Sequence, residues 1–251
     1  MSALSPQRLA VIAAVLPIAL VVTWDAPPLL PRGEATGPRR PLPAEERPAP
    51  PPEVVTRAEW GADEELRTEP VTYTGPARAV FIHHTNHPDD YDCADAPAML
   101  RSMQADHVGA QGWDDIGYNF VVDKCGTVYE GRGGGKDRFV LGAHTTGFNM
   151  DSVGIAALGA FTDPAAVPGE LITAIAEVAA WKLRPGTDPR GRVRMVSTND
   201  DSRVPEGDPA ELDVVAGHRD IVQTDCPGDA LHAQLPEIRQ EAARLRGAGG
   251  R

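Results

Sequence analysis

Apolar positions along the chain change period several times, and each change marks an element. Residues 78–85 (RAVFIHHT) form an apolar, β-branched run that predicts a strand. Residues 96–109 predict a helix, with Asp95 placed to cap its start, Pro97 near the first turn, and Met99, Met103 and His107 at i, i+4 spacing. Residues 118–122 and 127–130 read as two short strands joined across Lys124-Cys125-Gly126, a hairpin signal. Residues 152–160 (SVGIAALGA) are continuously small and apolar, the pattern of a central strand buried on both faces. In residues 168–183, Leu171, Ile172, Ile175, Val178, Ala179 and Leu183 make one apolar helical stripe. Residues 193–197 and 212–216 read as strands around an acidic loop, and residues 230–246 as a helix that Pro236 restarts. Strands alternating with helices around a buried sheet predict a single α/β domain.

Two stretches precede this domain. Arg8 is followed by an apolar run over residues 9–24, broken only by Pro17 and Thr23. One cation before such a run reads as an export signal or an uncleaved membrane anchor, with the rest of the chain outside the cytoplasm, secreted or held at the wall or membrane. Residues 25–53 are dense in proline with scattered Arg and Glu, which predicts an extended, semi-rigid linker. Ordered structure is expected over residues 54–246, with residues 247–251 as a disordered tail.

Composition narrows the function classes. An apolar content of 41% is ordinary for a chain with a real core. The formal charge of −12, with no basic run longer than Arg39-Arg40, argues against nucleic acid as a partner. The chain has three cysteines, an odd number that needs explaining in an exported protein. Cys93 and Cys125 flank the predicted helix and strand and are paired here as a disulfide, a loop closure that stabilises by about 3–4 kcal/mol in the chain-entropy model. Cys226, beside Pro227 and Gly228, is left free for metal.

Candidate ligands gather in two places. His83 and His84 are adjacent at a strand end, where side chains alternate, so one site can use only one of them, and the spacing does not choose. Gly217-His218-Arg219-Asp220 follows a strand, with Cys226 eight residues on from His218; the chain must loop back for both groups to meet one ion. Three protein ligands leave a tetrahedral position open, the arrangement of a catalytic zinc.

An ordered set of motifs accompanies these ligands: Arg57-Ala58-Glu59-Trp60-Gly61-Ala62, Phe81-Ile82-His83-His84-Thr85, Gly112-Trp113-Asp114-Asp115-Ile116-Gly117-Tyr118-Asn119-Phe120 and Tyr129-Glu130-Gly131-Arg132. Gly142-Ala143-His144, Asn149 with Ser152-Val153-Gly154-Ile155, and Thr224-Asp225-Cys226-Pro227-Gly228 complete it. Over residues 54–246 the chain resembles the peptidoglycan recognition proteins and the zinc-dependent type 2 (phage-lysozyme-like) N-acetylmuramoyl-L-alanine amidases. The resemblance implies a central mixed β-sheet flanked by helices, and hydrolysis of the amide between N-acetylmuramic acid and L-alanine in peptidoglycan by a Zn2+ enzyme of bacterial, exported type. The alternative it leaves is a non-catalytic, receptor-like module that binds peptidoglycan; Cys226, which such modules usually lack, favours the enzyme. The resemblance selects His83, His218 and Cys226 as metal ligands and gives Tyr118 and Thr224 catalytic roles. Thr224 agrees with the recognition proteins, where the phage-lysozyme pattern has lysine. Ala156 stands where cytosolic amidases carry a glutamate, which excludes a carboxylate base there. Gly112-Trp113 resembles the pair that accompanies diaminopimelate-type stem peptides, and His107 and His144 match positions lining the peptide groove. A monomer is expected.

Overall fold

The two most apolar strand candidates lie side by side at the centre of a mixed sheet in a computed structural model of the chain, which describes residues 49–162 and 167–248. In chain order the elements are β1 (Val54–Val55), α1 (Arg57–Trp60), β2 (Ala79–His84), α2 (Ala96–Gly109), β3 (Phe120–Val122), β4 (Val128–Glu130), β5 (Ser152–Ala157), α3 (Gly169–Lys182), β6 (Arg192–Val196), β7 (Pro209–Asp213), β8 (Val215–Gly217), α4 (Asp229–Ala233) and α5 (Leu235–Ala248). The main sheet has the order β1-β4-β3-β5-β2-β8. β2 and β5 pair in parallel from Ala79↔Ser152 to His84↔Ala157, β3 adds in parallel to β5, and β8 in parallel to β2. Their carboxyl ends therefore share one edge, where ligands bind in open α/β sheets. Within this sheet, among the described residues, only the β3–β4 pairing is antiparallel.

Strand alternation assigns the faces. Val80 and Ile82 of β2, with Val153 and Ile155 of β5, pack under α3 and α5 through Leu171, Ile175, Val178 and Ile238. Phe81 points the other way, into a cluster with Phe148, Met195, Leu212 and Ile221. Beside it Trp60, Leu100, Met103, Ile116 and Tyr129 pack α2 onto the same face. His83 shares this second face and is buried; His84 follows the first and is half-buried.

Several sequence expectations shift in detail. Asp95 makes no side-chain cap for α2; Asp92 instead accepts from Ala94 N at 2.9 Å in the 3-10 turn Cys93–Asp95 that leads into it. The buried central strand ends at Ala157. The strand expected over residues 212–216 is two strands: Leu212 pairs with Val193 in the separate β6–β7 hairpin, whereas Val215 pairs with Val80 in the main sheet. Val214 makes the crossing, donating to Gly191 O at 3.0 Å and accepting from Val80 N at 2.8 Å, so hydrogen bonding is unbroken while the sheet changes. The last helix is interrupted at Gln234, and Pro236 sits at the start of α5, where its missing N–H costs nothing.

Ala49, within the stretch read as linker, is buried in the core, and α5 runs on to Ala248 in the stretch read as tail. The apolar run at 9–24, the linker up to residue 48 and residues 249–251 lie outside the described residues. Among the described residues no helix is long and apolar enough to cross a membrane. Cys93 and Cys125 are joined by a disulfide, tying the start of α2 to the β3–β4 turn.

Candidate metal centre

β2 and β8 end side by side, and the site is built where they stop. His83 is the fifth residue of β2, and His218 opens a 3-10 turn directly after β8. Asp220 fixes that turn: one oxygen accepts from Gly217 N and the other meets His232 Nε2, both at 2.8 Å. The chain then loops back. Arg219 N donates to Cys226 O at 2.9 Å, closing the eight-residue excursion that the spacing required. The donor atoms of His83, His218 and Cys226 all lie within 4.8 Å of one another, with Cys226 Sγ 3.7 Å from His83 Nδ1.

Neighbouring groups aim these donors. Thr145 Oγ1 lies 3.3 Å from His83 Nε2 and 3.0 Å from His144 Nδ1, so the far nitrogen of His83 is occupied and Nδ1 faces the cluster. Asn149 Oδ1 accepts from the backbone N–H of both His144 and Thr145, holding that corner. His84 is turned away, its Nδ1 2.6 Å from Ala160 O, while its backbone N–H donates to Cys226 Sγ at 3.3 Å. Thr145 was not singled out by the sequence, because a threonine beside a histidine carries no periodic or spacing signal.

Burial sets the protonation states. Desolvation, then the charge His218 would carry, holds His83 well below the usual imidazole range. Desolvation likewise takes His218 down to about 4 and His144 to about 3. The Cys226 thiol is pushed up to about 12 by burial, against the His84 N–H and Arg219, which favour the thiolate. Neutral imidazoles offer lone pairs, and a buried thiol gains by meeting a cation that replaces its proton. This His-His-Cys donor set fits a zinc ion.

The remaining predicted residues surround this centre. Tyr118, two residues before β3, lies with its ring 5.3 Å from that of His83 and its Oη 3.5 Å from His84 O; burial raises its phenol pKa further. Thr224 Oγ1 accepts from Cys226 N at 3.2 Å, so it shapes the ligand loop. His107 on α2 lies 4.7 Å from the ring of exposed Trp113 and 5.8 Å from that of Tyr118, and its Nδ1 accepts from Gly117 N. A cleft of about 280 Å³ opens there, bordered by Thr85, His87, Met103, His107 and Tyr118. Gly112 takes φ +70°, a backbone state that favours glycine, and lets the chain turn into Trp113. Behind it Asp114 pairs with Arg132 at 3.1 Å, and buried Asp115 with buried Arg57 at 3.3 Å. His144 is buried beneath the site: its ring lies 5.2 Å from that of His83, fits where Gly142 and Gly154 have no side chain, and leaves Nε2 without a hydrogen-bond partner among the described residues.

Comparison with known proteins agrees with this architecture. The family model described as N-acetylmuramoyl-L-alanine amidase matches residues 73–229. The chain belongs to the N-acetylmuramoyl-L-alanine amidase family. It is 38% identical over 183 residues to the human N-acetylmuramoyl-L-alanine amidase, covering 72% of this chain and 27% of that protein. The chain thus spans about a quarter of the length of that amidase relative. It is also 31% identical over 186 residues to peptidoglycan-recognition protein 1 of Holotrichia diomphalia, covering 73% of this chain and 79% of that one. Among solved structures it resembles peptidoglycan recognition protein LE in complex with tracheal cytotoxin, a monomeric diaminopimelic acid-type peptidoglycan, at 25% identity and TM-score 0.57, over 73% of this chain and 92% of that one. The family's mixed sheet flanked by helices is therefore the fold of this chain.

Proposed function

We propose that the protein is a zinc-dependent N-acetylmuramoyl-L-alanine amidase, acting outside the cytoplasm on peptidoglycan or muropeptides of the diaminopimelate type. The observation that carries this reading is the convergence of His83, His218 and Cys226 within 4.8 Å at the open edge of the sheet. Zinc held by these three would supply a Lewis acid with a fourth position open to water or to the amide oxygen.

The chain's own residues do the rest. Tyr118 keeps its proton at any working pH, so its hydroxyl acts as a hydrogen-bond donor to charge that develops on the amide oxygen. Thr224 holds the Cys226 loop by accepting its N–H, and Thr145 fixes the orientation of His83. The cleft between α2 and Tyr118, with Trp113 beside its His107 wall, receives the stem peptide. Gly112-Trp113 and the likeness to a recognition protein solved with a diaminopimelic acid-type ligand support that preference.

A binding module that does not cut is the competing reading, since several relatives are named as recognition proteins. Cys226 separates the two, because a module that only grips the peptide has no need of a buried thiol beside two neutral imidazoles. Cys226→Ser is expected to abolish cleavage of a muropeptide while leaving peptide binding measurable by calorimetry. Retained turnover would mean that this ligand set is wrong.

A further inference from the structure

At the opposite end of β2 from the ligands, a second polar feature is unused by this chemistry. Arg78 enters the strand five residues before His83, roughly 16 Å away along the extended chain. Beside it a cleft of about 580 Å³ is bordered by Arg78, Arg184, Thr187, Asp188, Arg192 and Val214. Its carboxylates are already taken. Asp188 is gripped by Arg190 at 3.0 and 3.1 Å, and Asp213, next to Arg192, is shared between Arg192 at 3.3 Å and Arg239 at 2.7 Å.

The arginines are not matched in the same way. Arg78 donates to Arg194 O at 2.6 Å, and among the described residues neither Arg78 nor Arg184 meets a carboxylate. Below them Arg246 is buried, donating to the carbonyls of Ala180, Leu183 and Arg184 at the end of α3, again with no carboxylate partner among the described residues. Arg246 lies within electrostatic reach of Asp188, so two guanidinium groups, those of Arg78 and Arg184, border the cleft without a carboxylate partner among the described residues, in a chain whose net charge is −12. Helix capping explains Arg246, but it does not explain Arg78 or Arg184.

We propose that the cleft binds a phosphate group through the unpaired Arg78 and Arg184, with Arg192, which shares Asp213 with Arg239, adding charge at its border. Guanidinium forks fit phosphate and carboxylate alike, but forks approaching from several sides match the tetrahedral oxygens of phosphate better than a planar carboxylate, which one fork saturates. The Thr187 hydroxyl adds a further donor at the rim. The phosphate belongs either to a small soluble ester or to a phosphodiester polymer. In the second case the site fastens the protein to a surface while leaving the hydrolytic cleft free. The assignment does not depend on the amidase reading.

The test titrates inorganic phosphate into the full chain at low salt and follows the backbone amide shifts of Arg184, Gly186, Thr187 and Asp188. Saturable shifts are expected, with affinity falling about tenfold or more in the Arg78→Gln/Arg184→Gln variant and less in Arg184→Lys, which keeps the charge but loses the fork. Both variants should retain the wild-type far-UV circular dichroism and thermal midpoint, which shows that they fold. No saturable shift in the wild type, or equal affinity in the double variant, overturns the proposal. Co-sedimentation with a phosphodiester polymer then identifies the source. Retention that the double variant loses assigns the site to the polymer, and retention absent in both proteins assigns it to a small ester.

Discussion

The backbone N–H of His84 points at Cys226 Sγ from 3.3 Å, so one strand end serves the candidate centre twice, through the side chain of His83 and the main chain of its neighbour. That N–H is held in place from further out. The His84 ring meets Ala160 O at 2.6 Å, and Ala160 N donates to Asp89 at 2.7 Å. Asp89 also accepts from Phe161 N, at a residue strained to φ +48°. Asp89→Ala is therefore expected to weaken zinc binding about tenfold, measured by competition with a chromophoric chelator, and to alter the thiolate-to-metal absorption of the cobalt-substituted protein. An unchanged affinity and spectrum would show that the turn at 159–161 holds itself.

Acid should destabilise the metal-free protein above the range where carboxylates titrate. His144 and His218 ionise in the fold only near about 3 and about 4, whereas in the unfolded chain they take the ordinary value of 6.5. Between those limits the unfolded state holds more protons, so stability falls as pH is lowered through 6.5. The urea midpoint, followed with chelator present, is expected to drop between about pH 7 and about pH 5, and to drop less in His144→Gln. A flat midpoint in the wild type would contradict the neutral buried imidazoles.

Tyr118→Phe removes one hydroxyl and little packing. Turnover should fall about a hundredfold, the scale of losing one donor to a developing oxyanion, with zinc content unchanged. A loss of zinc together with activity would place the hydroxyl in the support of the site instead of in the reaction.

Much of this arrangement was legible in the chain, and the reasons are physical. α2 and α3 were read to within a residue, because periodic apolar stripes bounded by proline or a loop have few alternatives. The strand end bearing His83 and His84 was equally plain, but alternation alone could not choose between them; the choice came from family likeness, and the structure puts His83 on the face that Cys226 approaches. What stayed hidden was long-range. Nothing local in residues 212–216 says that Leu212 and Val215 belong to different sheets. Thr145 and Asp89 act through hydrogen bonds to groups distant in sequence or to backbone atoms, which leave no mark on periodicity. His144, read as a groove residue, lies buried against His83 because glycines at 142 and 154 make room for its ring.

Trp113 is exposed, and its ring lies tilted against that of His107, which borders the cleft. Trp113→Ala should weaken binding of a diaminopimelate-type stem peptide about tenfold by calorimetry, leaving zinc content and folding unchanged. Equal affinity would mean that the indole serves only to pack the end of α2.

The central claim, a zinc-dependent amidase, is tested most directly by mass spectrometry of a diaminopimelate-type muropeptide incubated with the protein, with chelator, and with chelator followed by excess zinc. Free stem peptide beginning at L-alanine is expected in the first case, none in the second, and recovery in the third. Absence of stem peptide in all three, or release that the chelator does not touch, would contradict it.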